Sequence, residues 1–340
     1  MLTLEPKLLE EIRFVSELEL LMLNHTDKLA CPQCRSKLEF KSQFLTCLTC
    51  SVDFPIIEGI PRFVASQGYT ESFGLQWARF SKTQLDSAQG SDRSFNRFTE
   101  ETQWNQENLS GKIVIDAGCG AGRFSEIVEK FGGDLIAIDF SRAIEVAAKN
   151  LASKKALFIQ ADLTTLPIQE KSADFVYCIG VLQHTSTPRF IVEELLRVLR
   201  VGGELTITFY ENSSWHVRLY SKYLVRPFTK RVPKSLLLNA IEKTSVFWFP
   251  TTRYLFSLPY PLNKIFRFVI PIANYVENKY LDSNSARAEA ILDTFDMLSP
   301  EYDKPIKRSD LHDWVNYSGY EVEFLDKKPL KGTLRVRRDS

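Results

Sequence analysis

Residues 114–124 read VIDAGCGAGRF, and this stretch decides the fold. An apolar run typical of a buried strand meets three glycines, at 118, 120 and 122, and a segment with helical spacing follows. Glycine permits the tight turn and the close approach of a ligand to the backbone that such a junction needs. In the dinucleotide fingerprint GxGxxG the third glycine would stand at Arg123, one residue after Gly122. The spacing and the preceding Asp116 therefore indicate a nucleotide-type loop that differs from the NAD fingerprint.

Strands and helices alternate from residue 112 onward. Apolar runs predict five strands, at 112–117, 134–140, 156–160, 174–179 and 204–210. Helical spacing predicts helices at 123–131, 142–151 and 188–199, the last one stopped by Gly202 and Gly203. A later helix at 307–317 and closing strands at 320–325 and 333–337 are also predicted. The alternation indicates an α/β fold with a parallel sheet covered by helices on both faces.

The motifs between 112 and 210 resemble, in order, those of the class I S-adenosylmethionine-dependent methyltransferases of the type 11 group. The glycine loop resembles motif I of that family, and residues 174–184 resemble its fourth motif, which lies beside the methyl donor. Residues 198–203 resemble the turn before the fifth strand. The resemblance implies a Rossmann-like, seven-stranded, mostly parallel sheet that binds S-adenosylmethionine. The implied reaction is in-line displacement at the sulfonium methyl, which depends mainly on positioning and the exclusion of water.

The resemblance also implies which residues hold the cofactor. Asp139, at the end of the second strand, would accept hydrogen bonds from the ribose hydroxyls, and Asp162 would contact the adenine amino group. In isolation Asp139 is typical of a helix cap and Asp162 of a turn, but their shared spacing favours a cofactor site. The complete set expected to bind the cofactor is Asp116, Ala117, Gly118, Cys119, Gly120, Gly122, Asp139, Phe140, Ser141, Asp162, Leu163, Ile179 and Gly180.

His184 is the candidate catalytic base, because it follows the fourth strand at the edge where α/β sheets present residues to ligands. The alternative is that His184 orders its loop or merely borders the cofactor. Related enzymes that methylate exocyclic amines often carry an Asn/Asp-Pro-Pro-aromatic tetrapeptide at this point. Residues 180–185, GVLQHT, have none. The acceptor atom is therefore predicted to be oxygen.

Two CxxC units near the N-terminus predict a metal site. Cys31 and Cys34 form the first unit and Cys47 and Cys50 the second, with 12 residues between the units. Two such units can supply four thiolates to one tetrahedral Zn²⁺. A pair of redox-active or merely buried cysteines is the alternative. The pattern favours one structural zinc per chain in a reducing compartment over a disulfide scaffold.

With the following residues 54–61, FPIIEGIP, the cysteine segment resembles the zinc ribbon of the methyltransferase-activator family. That family includes small activator subunits and also occurs as an N-terminal fusion on bacterial methyltransferases. The resemblance leaves two roles open: a purely structural ribbon, or a module that recognises the substrate. Because a ribbon of this size has little core, the metal is expected to supply much of its folding free energy.

A basic, aromatic segment interrupts the alternating pattern. Residues 211–280 carry 11 cations and three anions, a net charge of +8, whereas the whole chain carries +1. The segment belongs to a predicted helical insertion, residues 211–305, over the substrate site. Its aromatic side chains could form its own core, line a pocket for a lipid-like substrate, contact an anionic membrane surface or stack on RNA.

The chain is thus divided into a leading helix (1–25), a zinc ribbon (26–65), a connector (66–110), a methyltransferase core (111–210 and 306–338) and a substrate cap (211–305). No stretch of 18 uncharged apolar residues predicts a membrane span, and a cytoplasmic location is expected.

The predicted activity is methyl transfer to a small-molecule, glycan or lipid-like acceptor. The alternatives are an rRNA or tRNA methyltransferase and a non-catalytic cofactor-binding partner; peripheral membrane contact stays open.

Overall fold

A computed structural model describes residues 20–22, 24–64, 71–153, 155–212, 219–276, 282–317, 320–324 and 331–337. Most of the predicted leading helix falls on residues 1–19 and 23, which lie outside the described residues. The same holds for residues 65–70, for 213–218 and 277–281 of the predicted cap, and for the last residues of the predicted core.

The cysteine segment folds into a small antiparallel sheet. After a short 3₁₀ helix at Thr26–Lys28, it comprises β1 (Leu38–Lys41), β2 (Phe44–Cys47), β3 (Asp53–Ile57) and β4 (Ile60–Pro61). The strands are paired in the order β1-β2-β3-β4. Leu38, Leu45 and Phe54 turn inward and are buried, so alternate residues of the strands supply a minimal apolar core.

The connector is a chain of short helices, as its polar and aromatic sequence predicts. The helices are α1 (Glu71–Arg79), α2 (Asp86–Gln89), α3 (Arg93–Thr102) and α4 (Gln106–Leu109). Asn105 caps α4 through a reciprocal pair of side-chain and backbone hydrogen bonds with Asn108. Phe98 of α3 is fully buried and packs edge-on against Trp104 and Tyr177, which fixes α3 on the following domain.

The central domain alternates strands with helices. Its first part contains β5 (Ile113–Ala117), α5 (Ser125–Lys130), β6 (Asp134–Asp139), α6 (Ala143–Leu151), β7 (Leu157–Gln160), β8 (Ala173–Ile179), α7 (Pro188–Val198) and β9 (Leu199–Tyr210). After the cap, α12 (Arg308–Tyr317), β10 (Glu321–Phe324) and β11 (Lys331–Arg337) complete it. The strand order is β10-β11-β9-β8-β5-β6-β7. Strands β5 to β9 are parallel and β11 is antiparallel to both neighbours. The predicted seven-stranded, mostly parallel Rossmann-like sheet is confirmed.

The boundary between α7 and β9 differs from the prediction. The helix ends at Val198, and the strand begins at Leu199 rather than at residue 204. Leu199 already pairs with Ala173, and the register shifts before Phe175. A Cβ on Gly203 would lie 2.8 Å from the Asp174 carbonyl oxygen. The two glycines therefore accommodate a bulge inside the strand and do not end the helix.

The insertion is helical. It contains α8 (Ser221–Thr229), α9 (Lys234–Phe256), α10 (Leu262–Val269) and α11 (Ser283–Leu298). Helix α9 packs against α10 and α11, and α1 packs against α9 and α11. Leu238, Ile241, Leu292 and Phe295 form a buried cluster together with Phe80. Part of the aromatic and aliphatic content of the insertion is therefore its own core, which the connector completes.

The cysteine segment lies against the outer edge of the large sheet, at β7. The Phe63 amide donates to the Gln160 carbonyl at 2.8 Å, and the Ala30 amide donates to the Pro167 carbonyl at 3.0 Å. Its buried side chains belong to the same apolar cluster as Leu157 and Ile168 of the core. The ribbon thus covers an edge strand that would otherwise present unpaired backbone groups.

Candidate functional site

The glycine loop lies where the strand order reverses. Strand β5 lies between β6 and β8, so the loops at their carboxyl ends open a crevice, the usual ligand position in such sheets. Gly118 and Gly122 have φ of +88° and +89°. A Cβ on Gly118 would lie 2.5 Å from Val181, and one on Gly122 would lie 2.5 Å from Leu151 of α6. Both positions therefore require glycine, one for the crevice wall and one for helix packing.

Asp139 closes the loop from the neighbouring strand. Its Oδ2 accepts from the Gly120 amide at 3.0 Å, and its Oδ1 accepts from the Ser141 amide and hydroxyl at 2.8 and 2.7 Å. Burial raises the pKa of Asp139, although these hydrogen bonds oppose the shift. Asp139 thus links the glycine loop to the turn after β6, and Ser141 holds the carboxylate in place.

Asp162 stands at the corresponding position after β7. Its Oδ1 accepts from the amide and the hydroxyl of Thr164, both at 2.8 Å, and so caps the 3₁₀ helix Leu163–Thr165. Asp162 therefore caps a helix, whereas in isolation it was expected to be a turn residue. These two bonds engage only Oδ1, and the residue also lines the crevice.

The crevice is one cavity of about 600 Å³, a size typical of small-molecule sites. Ten predicted site residues line it: Gly118, Cys119, Gly120, Asp139, Phe140, Asp162, Leu163, Ile179, Gly180 and His184. The other four expected cofactor residues do not line the cavity and are buried: Asp116, Ala117, Gly122 and Ser141. The structure thus brings together at one cavity residues that are separated by up to 66 positions in sequence.

Asp116 shows how the hidden residues contribute. It is buried under the loop and accepts the Ser125 hydroxyl hydrogen bond at 2.6 Å. Desolvation raises the pKa of Asp116 to about 7. Its contact with the first turn of α5 ties the strand end to the helix that follows the loop. This geometry fits a supporting role for Asp116.

His184 forms part of the wall on the cap side. Its Nδ1 lies 3.1 Å from the Tyr302 carbonyl oxygen, and its Nε2 lies 3.9 Å from the Asp296 carboxylate. Phe73 and Tyr210 contact the ring edge-on, with centroids 5.5 and 6.0 Å away. A carbonyl can only accept, so Nδ1 carries the proton and Nε2 of a neutral ring is free to accept one. Both predicted roles, base and loop-ordering residue, are compatible with this geometry.

Three arginines on the wall were not predicted from the sequence. Arg93 and Arg97 come from successive turns of α3, and Arg123 follows the glycine loop. Arg97 and Arg123 flank the ring of Phe124 at 5.4 and 5.1 Å. Burial and the nearby Arg97 lower the pKa of Arg123 to about 10. The i, i+4 spacing of Arg93 and Arg97 was visible, but nothing local showed that α3 packs beside the loop.

Helix α11 supplies acidic side chains to the cavity wall. Glu289 pairs with Arg93 at 2.6 Å, whereas Asp296 faces His184. Burial, together with the neighbouring Glu289 and Asp296 carboxylates, raises the pKa of Asp293 to about 7. These acids project inward at positions i, i+4 and i+7, so they share one helix face. The cap therefore contributes charged groups to the cavity as well as shape.

The ribbon reaches the cavity wall through one buried arginine. Arg62 follows β4 and donates to the Gln160 side-chain oxygen at 2.9 Å and to Glu145 at 3.0 Å. The Gln160 side-chain amide in turn donates to the Phe140 carbonyl at 2.9 Å. Because Phe140 follows Asp139 directly, this chain of contacts connects the ribbon to the acid at the end of β6.

The four predicted metal ligands converge in the ribbon. One sulfur from each of Cys31, Cys34, Cys47 and Cys50 lies within 4.8 Å of all the others, and the Cys34 and Cys47 sulfurs are 3.5 Å apart. Four thiolates about 2.3 Å from one Zn²⁺ would be about 3.8 Å apart. The donor set therefore fits a closed tetrahedral zinc site. Cys119 and Cys178 are buried elsewhere, and burial raises the pKa of both thiols.

Across the part of the chain that the structure describes, every helix is too short or too polar to cross a bilayer.

Residues 115–207 match a family model described as a methyltransferase domain. The ubiquinone biosynthesis O-methyltransferase of Coxiella burnetii is 32% identical over 103 residues, which cover 29% of this chain and 44% of the relative. The phosphoethanolamine N-methyltransferase of Triticum aestivum is 31% identical over 133 residues, which cover 37% of this chain and 26% of the relative. The chain thus spans less than half the length of either relative.

Solved structures that are similar to this chain include the magnesium protoporphyrin IX methyltransferase of Synechocystis PCC 6803 with bound SAH. It is 15% identical with a TM-score of 0.42, and the match covers 80% of this chain and 97% of that chain. The family match identifies a methyltransferase domain that contains the glycine loop, Asp139, Asp162 and His184. It does not extend to the cysteine ribbon, whose assignment to the activator type stays a prediction.

Proposed function

We propose that the chain transfers a methyl group from S-adenosylmethionine to a small-molecule acceptor. The observation that carries this proposal is the convergence of the glycine loop, Asp139, Asp162 and His184 on one cavity. The domain match and the named relatives, which act on small molecules, support the same activity. The cofactor supplies an electrophilic sulfonium methyl. The protein therefore has to bind and orient the cofactor and the acceptor and to exclude water.

The residues on the wall fit this cofactor. Asp139 would accept from the ribose hydroxyls, since Ser141 and Gly120 already fix its position. Asp162 keeps Oδ2 available for the adenine amino group, because the Thr164 bonds engage only Oδ1. Phe140 and Leu163 border the same part of the cavity and offer apolar faces for a flat base.

Arg97 and Arg123 are suited to the carboxylate of the cofactor's methionine part. A Cβ on Gly180 would lie 3.9 Å from an Arg97 terminal nitrogen, so this guanidinium reaches the end of β8. Arg97 and Arg123 lie beside the same ring, that of Phe124, and their like charges repel each other. The Glu101 carboxylate accepts from Arg97 at 3.0 Å. A bound carboxylate between the two guanidiniums would offset this repulsion.

The acceptor is proposed to lie between His184 and the cap. With Nδ1 donating to Tyr302, the His184 Nε2 can accept the proton of an acceptor hydroxyl, and Asp296 would stabilise the resulting imidazolium. The relatives named above include one O-methyltransferase and one N-methyltransferase. We propose oxygen as the acceptor atom, because the histidine provides the base that a hydroxyl requires.

We further propose that the ribbon binds one structural zinc and is of the activator type. The four sulfurs satisfy a closed coordination shell, which leaves no position for a reacting water. The buried contacts of the ribbon with β7 support a stabilising role for it. Recognition of the substrate by the ribbon is the remaining alternative.

Cofactor binding tests the proposal first. Asp139→Ala is expected to weaken binding of S-adenosylhomocysteine (SAH) by at least about tenfold in calorimetry, because hydrogen bonds to a carboxylate are worth about 1.5–3 kcal/mol each. Asp134→Ala is the matched control: Asp134 begins the same strand and contacts His25 at 2.9 Å instead. Unchanged SAH affinity in Asp139→Ala would refute the cofactor assignment.

Transfer of label then identifies the acceptor class. The protein is incubated with methyl-labelled S-adenosylmethionine and a cell extract, which is then separated into RNA, protein, lipid and low-mass fractions. Label in the lipid or low-mass fraction supports a metabolite enzyme. Label in RNA supports the RNA alternative, and SAH binding without any transfer supports the non-catalytic partner.

A further inference from the structure

The outer face of the cap carries an exposed apolar surface that the proposed methyl transfer does not use. On α9 it comprises Val246, Phe247, Pro250 and Tyr254, whose spacing places them on one side of the helix. Phe247 is 77% exposed and Tyr254 is 68% exposed. A soluble helix normally turns such a stripe toward its core, and the buried side of α9 already packs on α11.

Helix α10 continues this surface. Leu262, Ile265 and Val269 recur at helical spacing and are about half exposed, and none of the eight residues of α10 is buried. A helix this short gains little stability from its backbone alone, so burial of an apolar face usually maintains it. We call the exposed residues of α9 and α10 named here the cap face.

The charge of the surrounding segment indicates what covers the cap face. Between residues 234 and 276 the sequence has five cations and one anion, Glu242. Glu242 is itself held by Arg79 at 2.9 Å. Lys264 lies over the Tyr260 ring at 5.0 Å, an arrangement in which a cation stays beside apolar surface. The segment is therefore apolar and basic at once.

We propose that the cap face binds the surface of an anionic lipid bilayer. Amphipathic helices with aromatic and aliphatic residues on one face and Lys or Arg beside them lie in the plane of the interface, and anionic headgroups attract the cations. A second copy of this chain is a poor occupant. A two-fold interface would place the cap face and its cations against themselves.

The chain leads directly from the cap face to the cavity. Ala273 and Tyr275, which follow α10 within six residues, line the cavity. Tyr275 is also 42% exposed, so it is accessible from outside as well as from the cavity. The membrane contact does not depend on the proposed methyl transfer. If that transfer holds, the bound orientation favours acceptors with an apolar tail.

Vesicle co-sedimentation of the full chain tests the proposal. The probes are phosphatidylcholine vesicles with and without phosphatidylglycerol. The wild type is expected to bind the phosphatidylglycerol vesicles and to lose binding in added salt. Phe247→Ser combined with Ile265→Ser should weaken binding by roughly tenfold or more. Phe190→Ser, a matched exposed phenylalanine on α7, should bind like the wild type.

Three outcomes would overturn the proposal. The first is a wild type that does not bind phosphatidylglycerol vesicles, and the second is an equal loss in Phe190→Ser. The third is a wild-type dimer in light scattering that the double variant converts to a monomer, because the cap face would then be a self-interface. SAH affinity, measured in every variant, should stay at the wild-type value and reports separately on the cofactor site.

Discussion

Replacing Arg62 with methionine should weaken cofactor binding, although Arg62 belongs to the ribbon and does not line the cavity. The side chain is buried, 8% exposed, and donates two charge-assisted hydrogen bonds. Methionine keeps much of its volume but leaves the Gln160 oxygen without its donor. The Gln160 side chain is then less firmly oriented, which weakens the hydrogen bond from its amide to the Phe140 carbonyl. The position of Asp139, one residue before Phe140, is therefore less well defined.

The magnitude follows from the two kinds of bond involved. Charge-assisted hydrogen bonds contribute about 1.5–3 kcal/mol each, so the loss of two should lower the free energy of unfolding by roughly 3–6 kcal/mol. The cofactor site loses only the ordering provided by one neutral bond, about 1 kcal/mol, which equals about fivefold in the Kd for SAH. Calorimetry gives the Kd and thermal unfolding gives the stability.

Arg35→Met is the matched control. Arg35 also joins the ribbon to the core, through the Leu166 carbonyl at 2.8 Å and Glu194 at 2.9 Å, but it has no contact with Gln160. It should lower the melting temperature and leave the Kd unchanged. A wild-type Kd in Arg62→Met would refute the coupling. An equal loss of affinity in Arg35→Met would show that any loosening of the ribbon has the same effect.

Protein purified without chelators should contain about one zinc per chain by elemental analysis. Cys47→Ser should lower both the zinc content and the melting temperature, and a stable metal-free protein would contradict the zinc interpretation. Because burial raises the pKa of Asp116 from 3.8 to about 7, the folded state retains a proton there that the unfolded state releases. Stability should therefore fall as the pH rises through that window, and Asp116→Asn should gain stability relative to the wild type. Urea unfolding between about pH 4 and pH 8 checks this, and a difference independent of pH would mean that Asp116 is already ionised in the folded state. His184→Gln should retain SAH affinity while the rate of methyl transfer falls by roughly 10²–10⁴ with loss of its pH dependence. A wild-type rate would assign His184 to ordering its loop.

Local pattern was sufficient for the large sheet. The glycine loop and the alternating apolar segments predicted the parallel strands to within a few residues, because both signals are periodic and local. The strand β9 was the exception. Its glycines resemble a helix stop, and only the pairing of Leu199 with Ala173 shows that they accommodate a bulge. Local pattern cannot distinguish these two uses of glycine.

The sequence by itself determined the nucleotide-type loop, the positions of the acids at the end of β6 and after β7, and the four-cysteine set, because each depends on residue type at short spacing. Tertiary structure alone decided that Arg97 and Asp296 share a cavity with His184. It also decided that Arg62 reaches Phe140 through Gln160. These contacts join residues far apart in the chain, and their free energy depends on burial that arises only when the connector, cap and ribbon pack on the sheet. No local spacing encodes that packing.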